Sequence, residues 1–135
     1  MAFINLTPHD ILVFKKNQFV NLVEKNPTTW VADDVQGDAI LSLPSMGSVR
    51  IATCITSLDD VHGIPVFATQ YGELIFTGID QSNINSNDIL IVSLPVVSNA
   101  KAAGYQIATQ LVSPYQVVRL ASDTSIILGC TGFTL

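Results

Sequence analysis

Turn-forming residues recur along the whole chain, and this spacing most limits what it can fold into. Short β-branched or apolar runs are broken by Thr7-Pro8-His9-Asp10, Asn17, Asn26-Pro27, Pro44 to Gly47, Asp59 to Gly63, Gln70-Tyr71-Gly72, Ser122-Asp123-Thr124 and Gly129 to Gly132. Runs of four to eight such residues bounded by Gly, Pro, Asn and Asp read as strands. Strands are expected at residues 3–6, 11–16, 18–24, 38–43, 49–57, 64–69, 73–78, 115–121 and 125–128, with residues 11–16 and 18–24 forming a hairpin or two edge segments. Residues 49–57 carry Val49, Ile51, Thr53 and Ile55 on one face by period two. Residues 89–94 are apolar without alternation, as a central strand buried on both faces requires. Trp30 to Gly37 is polar and acidic, and residues 80–88 are the most polar stretch, read as a surface loop.

One segment departs from this pattern. Pro95 to Ala103 is expected to be an α-helix: Pro is tolerated in a first turn, Ala100, Ala102 and Ala103 favour helix, and Gly104 can end it. The fold class is therefore mainly β (α+β by strict count), with about eight or nine short strands in a barrel-like or sandwich sheet and one short helix near residues 95–103. A single domain over residues 1–135 is expected, since no linker and no internal repeat divides the chain. A closed or nearly closed sheet is expected because hydrophobic residues make up 48% of the chain and open edges would be sticky.

Charge and composition narrow the partners. Eleven acidic residues face six basic ones, and the basic residues are scattered, so duplex nucleic acid is not an expected partner. No apolar run is long enough to span a bilayer, and the first residues do not read as a signal peptide. A cytoplasmic, non-membrane protein is expected. The mean hydropathy of +0.43 points to apolar surface covered in a homo-oligomer or by a partner. Cys54 and Cys130 both lie in apolar runs and read as small buried hydrophobes.

Chemical signatures are sparse. His9 and His62 lack metal-ligand spacing, no Gly-x-Ser-x-Gly elbow is present, and Asp33-Asp34 and Asp59-Asp60 read as solvated pairs. No metal, cofactor or catalytic residue is assigned. Gly47-Ser48-Val49-Arg50 is a candidate anion nest followed by an Arg. Arg119, between Val118 and Leu120, is outward and solvated or lines a cavity. Tyr71 and Tyr105 lie in or beside loops, where aromatics can stack on a base or pack a rim.

Several segments together resemble a family of small uncharacterised proteins of bacteria and their phages. They are Ile4-Asn5-Leu6-Thr7-Pro8-His9-Asp10-Ile11, Leu43-Pro44-Ser45-Met46-Gly47-Ser48-Val49-Arg50, Gly63-Ile64-Pro65-Val66, Tyr71-Gly72-Glu73, Ile91-Val92-Ser93, Val118-Arg119 and Ile126 to Cys130. Met46 is an apparent insertion in the family's Pro-Ser-Gly turn, and Leu120 stands where an acid is common. The resemblance implies a phage or bacterial setting and no mechanism. On that footing the leading expectation is a non-enzymatic protein that binds a small anionic ligand, such as a phage sponge for a nucleotide immune signal. Thr7, His9, Arg50, Tyr71, Tyr105 and Arg119 are its candidate ligand-binding residues: His9, Arg50 and Arg119 on phosphates, and Tyr71 or Tyr105 on a base. The alternative is a structural or interaction module that forms a homo-oligomer. A small hydrolase acting on a nucleotide comes third.

Overall fold

The computed structural model describes residues 2–135. In chain order the elements are β1 (Phe3–Asn5), β2 (Ile11–Val13), β3 (Phe19–Val20), β4 (Val23–Asn26), β5 (Thr29–Ala32), β6 (Asp34–Val35) and β7 (Leu41–Leu43). Two long strands follow, β8 (Ser48–Ser57) and β9 (Phe67–Thr77). Then come β10 (Ile89–Ile91), the helix α1 (Leu94–Ala102), β11 (Leu111–Tyr115), β12 (Val118–Leu120), β13 (Asp123–Gly129) and β14 (Gly132–Thr134). The chain is mainly β, with one α-helix and many short strands in several sheets.

The centre is a four-stranded sheet ordered β1-β10-β11-β14, in which β10 runs parallel to both β1 and β11. Its alternating side chains feed two apolar layers. Ile4, Leu90 and Leu111 pack under Val96, Val97 and Ala100 of α1 and beside Val49. Ile91 and Val112 face the other way, onto Ile11 and Val13 of β2 and onto Cys130. Leu90, Ile91 and Val92 are fully buried, as the unalternating run predicts, but the strand ends at Ile91 and not at residue 94: Leu94 is exposed and opens the helix, because Pro95 directs the chain into its first turn. The expected helix is also present, one residue earlier than predicted, with Pro95 in its first turn and Gly104 at φ +72° just beyond its end.

A second four-stranded sheet, ordered β13-β12-β5-β4, closes a third layer in which Phe14 and Phe19 pack edge-on above Ala32 and Val118. Trp30 lies on β5 beneath the Lys16 ammonium, 5.3 Å from the ring centre, so packing accounts for it. Two small antiparallel pairs, β2-β7 and β3-β6, complete the body. Residues 11–16 and 18–24 do not pair with each other as a hairpin: β2 pairs with β7, and β3 with β6. No closed barrel forms. Among the described residues no helix is long and apolar enough to cross a membrane.

The largest departure from expectation is a two-stranded ribbon of β8 and β9, called the arm below. Gln70-Tyr71-Gly72 is not a turn between two strands; β9 passes straight through it, antiparallel to β8 along its length. The reversal comes further out, at His62 (φ 52°) and Gly63 (φ 78°), where Val61 and Ile64 exchange both backbone hydrogen bonds at 3.0 and 2.9 Å. Two centre residues at positive φ are what a two-residue type I′ hairpin needs.

Gly129 shows how tightly the layers meet. A Cβ there would lie 2.7 Å from Phe14 Cδ2 and 2.8 Å from the Leu12 carbonyl oxygen. Gly129→Ala is expected to lower unfolding stability by about 1–3 kcal/mol through overpacking, read from denaturant midpoints at constant slope. An unchanged midpoint would show that β13 and β2 are not in this contact.

Candidate functional site

A cleft of about 650 Å³ lies at the open side of β2 and β13. Its wall is mostly apolar, from Pro8, Ile11, Leu12, Pro114, Ile127 and Leu128, with Thr7, His9, Asp10, Ser42, Ser93 and Ser125 adding polar points. One rim is the Thr7-Pro8-His9-Asp10 turn, and a buried asparagine holds that turn in place. Asn5 Nδ2 donates to the carbonyls of His9 (2.8 Å) and Leu43 (2.9 Å), and its Oδ1 accepts from Thr7 N (3.0 Å). The Thr7 hydroxyl lies 2.7 Å from Asn5 Oδ1 and 3.0 Å from the His9 carbonyl oxygen. Asp10 Oδ1 accepts from Ser45 N at 2.9 Å, and Ser45 Oγ donates to the Thr7 carbonyl at 2.6 Å. Buried polar groups are retained when their hydrogen bonds are filled, and here the backbone partners of Asn5 lie in the first turn and at the end of β7.

This network explains residues that look functional in the sequence. Asn5, Thr7, Asp10 and Ser45 lock the first turn to the segment leading into the arm. Sequence reasoning passes over Asn5, although a polar residue between Ile4 and Leu6 in an apolar strand is itself the signal.

The six candidate ligand residues divide by place. Thr7 and His9 line the cleft together. Tyr105 lines a smaller hollow of about 300 Å³ with Glu73, Leu74 and Gln106, and its hydroxyl donates to the Gly72 carbonyl at 3.0 Å. Tyr71 stands exposed on the arm. Arg50 is exposed on β8, opposite Ile75. Arg119 lies on β12 opposite Ile127 and spends one guanidinium N–H on the Thr124 carbonyl at 3.0 Å. Arg50, Arg119 and Tyr71 line neither hollow. Among the described residues no lysine or arginine side chain lines the cleft, so a phosphate placed there would meet Asp10 and no fixed cation.

The two cysteines part company. Cys130 is buried, and desolvation pushes its thiol above the ordinary value against a smaller lowering by the Gly132 N–H. A raised thiol is a poor nucleophile. Cys54, expected to be buried, is exposed instead, because the distal arm has no layer packed over it. Asp80 and Asp123 are held below the usual carboxylate range by Ser82 and Ser125 respectively, each as a local turn cap. Ser113 Oγ is buried with no hydrogen-bond partner among the described residues. Among the described residues no three His, Cys, Asp or Glu side chains lie together as a metal site.

Comparison of the chain with protein-family models, with curated proteins and with solved structures found no match.

Ile55, Leu58, Val61, Ile64, Phe67 and Tyr71, all on the arm, are exposed large hydrophobic residues. Directly opposed residues of an antiparallel pair share a face, as do alternate residues of one strand. Val49 and Ile51, opposite Phe76 and Leu74, therefore form one face at the arm's root, packed on the core. On β8 the same face continues as Thr53, Ile55 and Ser57. On β9 the register shifts between Ile51 and Thr53, so that one extra residue separates Leu74 from Tyr71. That bulge moves Tyr71, Thr69 and Phe67 onto the face of Leu74 and Phe76; an unbroken register would have placed Gly72, Gln70 and Ala68 there. The Tyr105 hydroxyl bonds the Gly72 carbonyl, pinning the bulge. The result is one stripe, buried at the root and bare beyond it: Ile55 is 68% exposed, and Phe67 and Tyr71 are each 59% exposed.

In dilute native protein one thiol, Cys54, is expected to react promptly with a maleimide. Cys130 is expected to react only at the rate at which the fold opens, as mass spectrometry over time would show. Equal rates for both would contradict the burial of Cys130 between β2 and the central sheet.

Proposed function

We propose that this protein is a non-enzymatic structural or interaction module that docks onto other protein surface through its β-ribbon arm. One observation carries the reading. The arm's apolar stripe continues the core-facing stripe of the body, a bulge keeps it in phase, and its outer half is uncovered. An exposed apolar surface of this kind on a soluble chain marks an interaction site. Among the described residues β8 and β9 form a sheet of their own, so beyond the root, where Val49 N donates to the Leu6 carbonyl at 3.2 Å, each has an edge without a strand partner. Open edges and a flanking apolar face are the ingredients of strand-to-strand recognition. The acidic balance of the chain turns the arm away from nucleic acid and anionic lipid and toward protein.

The small-ligand reading retains the cleft, where Thr7 and His9 meet, but the chemistry of the cleft suits an apolar or neutral molecule better than a nucleotide. The arm is the better-supported functional element, since its exposure is harder to explain by packing.

The test is a labelling probe on the stripe. A Cys54→Ser, Thr69→Cys variant puts a thiol beside Ile55 on the stripe face. In the cells that naturally carry the protein this thiol is expected to be protected at least tenfold relative to the dilute purified protein. Equal labelling in both settings would remove the docking function.

A further inference from the structure

We infer that Tyr105 is a latch on the arm. Its hydroxyl holds the β9 bulge at Gly72, and so decides whether Tyr71 and Phe67 or Gln70 and Ala68 share the face of Ile55. The latch is a property of the arm itself; its use in recognition rests on the arm being a docking element.

The arm cannot be built without irregularities. At the root Val49 N is spent on the Leu6 carbonyl at 3.2 Å, so Val49 and Phe76 oppose each other as a non-hydrogen-bonded pair. At the tip Val61 and Ile64 exchange both backbone bonds and form a hydrogen-bonded pair. Val61 lies twelve residues after Val49, and Ile64 lies twelve before Phe76. The two kinds of pair alternate along an unbroken antiparallel ladder, so pairs an even number of steps apart are of one kind. These two are of opposite kinds, and each strand must therefore hold an extra residue.

The two extra residues sit at opposite ends. On β9 the extra residue is at the root: Gly72 and Glu73 lie between Tyr71, opposite Thr53, and Leu74, opposite Ile51. On β8 it is near the tip. Leu58 N donates to the Val66 carbonyl at 2.8 Å and Val61 pairs with Ile64, which leaves Asp59 and Asp60 against Pro65 alone. The middle of β8 thus keeps the phase of the root, and the middle of β9 keeps the phase of the tip. This is what puts Tyr71, Thr69 and Phe67 on the face of Ile55.

The ladder demands an extra residue in β9 but does not fix its position. Moved outward past Phe67, it would leave the root and the His62-Gly63 turn as they are. Ile55 would then oppose Gln70, Ser57 would oppose Ala68, and Tyr71 and Phe67 would turn to the other face. Both arrangements carry the same irregularities, so one local bond can choose between them. Tyr105 supplies that bond, its hydroxyl donating to the Gly72 carbonyl at 3.0 Å. Tyr105 N donates to the Ala100 carbonyl of α1 at 3.1 Å, and the ring packs on the core, so the hydroxyl is held by the body. Among the described residues no other side chain hydrogen-bonds to the arm. Migration of the bulge slides the chain beside Gly72 by as much as one residue, ~3.3 Å, which breaks the bond.

Disulfide closure in the purified protein tests the latch. It reads register alone, whereas protection of the arm in cells reads docking, so the two can fail separately. Ile55 turns its N–H outward in both arrangements and therefore sits in a non-hydrogen-bonded pair in either, at a Cα separation that suits a disulfide. Cys54→Ser, Ile55→Cys, Thr69→Cys places two thiols opposite each other and is expected to close readily under oxidised glutathione. Cys54→Ser, Ile55→Cys, Gln70→Cys places them on opposite faces and is expected to close at least tenfold more slowly. Adding Tyr105→Phe is expected to speed this slow closure about fivefold, the factor that one neutral hydrogen bond is worth. It is expected to leave the fast pair and the maleimide rate of Cys130 unchanged. Slow closure that does not respond to loss of the hydroxyl overturns the latch. A parallel rise in the Cys130 rate also overturns it, because the effect would then come from a loosened body. Equal closure of the two pairs with Tyr105 in place overturns it as well, since the bulge would then move freely.

Discussion

The body of the fold depends on β10 being covered on both faces. Leu90 and Ile91 are adjacent in sequence and point to opposite sides of the central sheet, and neither is exposed. Burying such a side chain fully contributes about 1.5–3 kcal/mol, and here each one recruits a different layer. On Leu90's side the chain must supply α1 and the root of the arm. On Ile91's side it must supply β2, β7 and Cys130. The parallel pairing of β10 with β11 sets the connection between them, since parallel neighbours need a crossover and α1 lies within it. Asn5 then works at the boundary of the sheet, using its amide to tie the first turn to the last residue of β7, from which the chain runs on into the arm.

The arm obeys the opposite condition. A lone two-stranded ribbon is marginal in water, so its root is stabilised by the core through Val49, Ile51, Leu74 and Phe76. Beyond that root nothing covers it, yet its residues are not those of a solvated hairpin. A ribbon made for water would carry Lys or Glu on both faces as protection against pairing. This one instead has no charged side chain on either strand over residues 51–57 and 67–72, and a one-residue bulge turns Tyr71 and Phe67 to the apolar side. The bulge is the point at which local geometry becomes functional: a single slipped position decides which side chains the ribbon presents.

Much of the body is legible in the sequence because local rules suffice there. The unalternating run at residues 89–94 can only be a doubly buried strand or a buried helix segment, and its length decides for the strand. Pro95 and Gly104 bracket the helix by their own backbone limits. Legibility fails where one residue type serves two geometries. Gly72 in Gln70-Tyr71-Gly72 fits a turn or a bulge, and only the register of the partner strand distinguishes them. The strand at Leu111–Tyr115 is obscured by Pro114, and Gly132–Thr134 by the glycine that opens it. For the candidate site, Thr7 and His9 are neighbours in sequence and so are neighbours in the cleft. The convergence of Arg50, Tyr71 and Arg119 with them depends on how separate elements stack, which sequence order does not encode. Turn-borne polar residues such as Thr7 also have two uses, contacting a ligand or satisfying a loop's own backbone. Hydrogen-bond partners assign Thr7 to the second.

Hydrogen exchange followed by mass spectrometry, run on the purified wild-type protein alone and in an extract of the cells that naturally carry it, tests the central claim most directly. The account predicts that amides of residues 53–57 and 67–71 exchange more slowly in the extract, while those of β10 exchange alike in both. Identical exchange of the arm in both settings would contradict an arm that docks on protein surface.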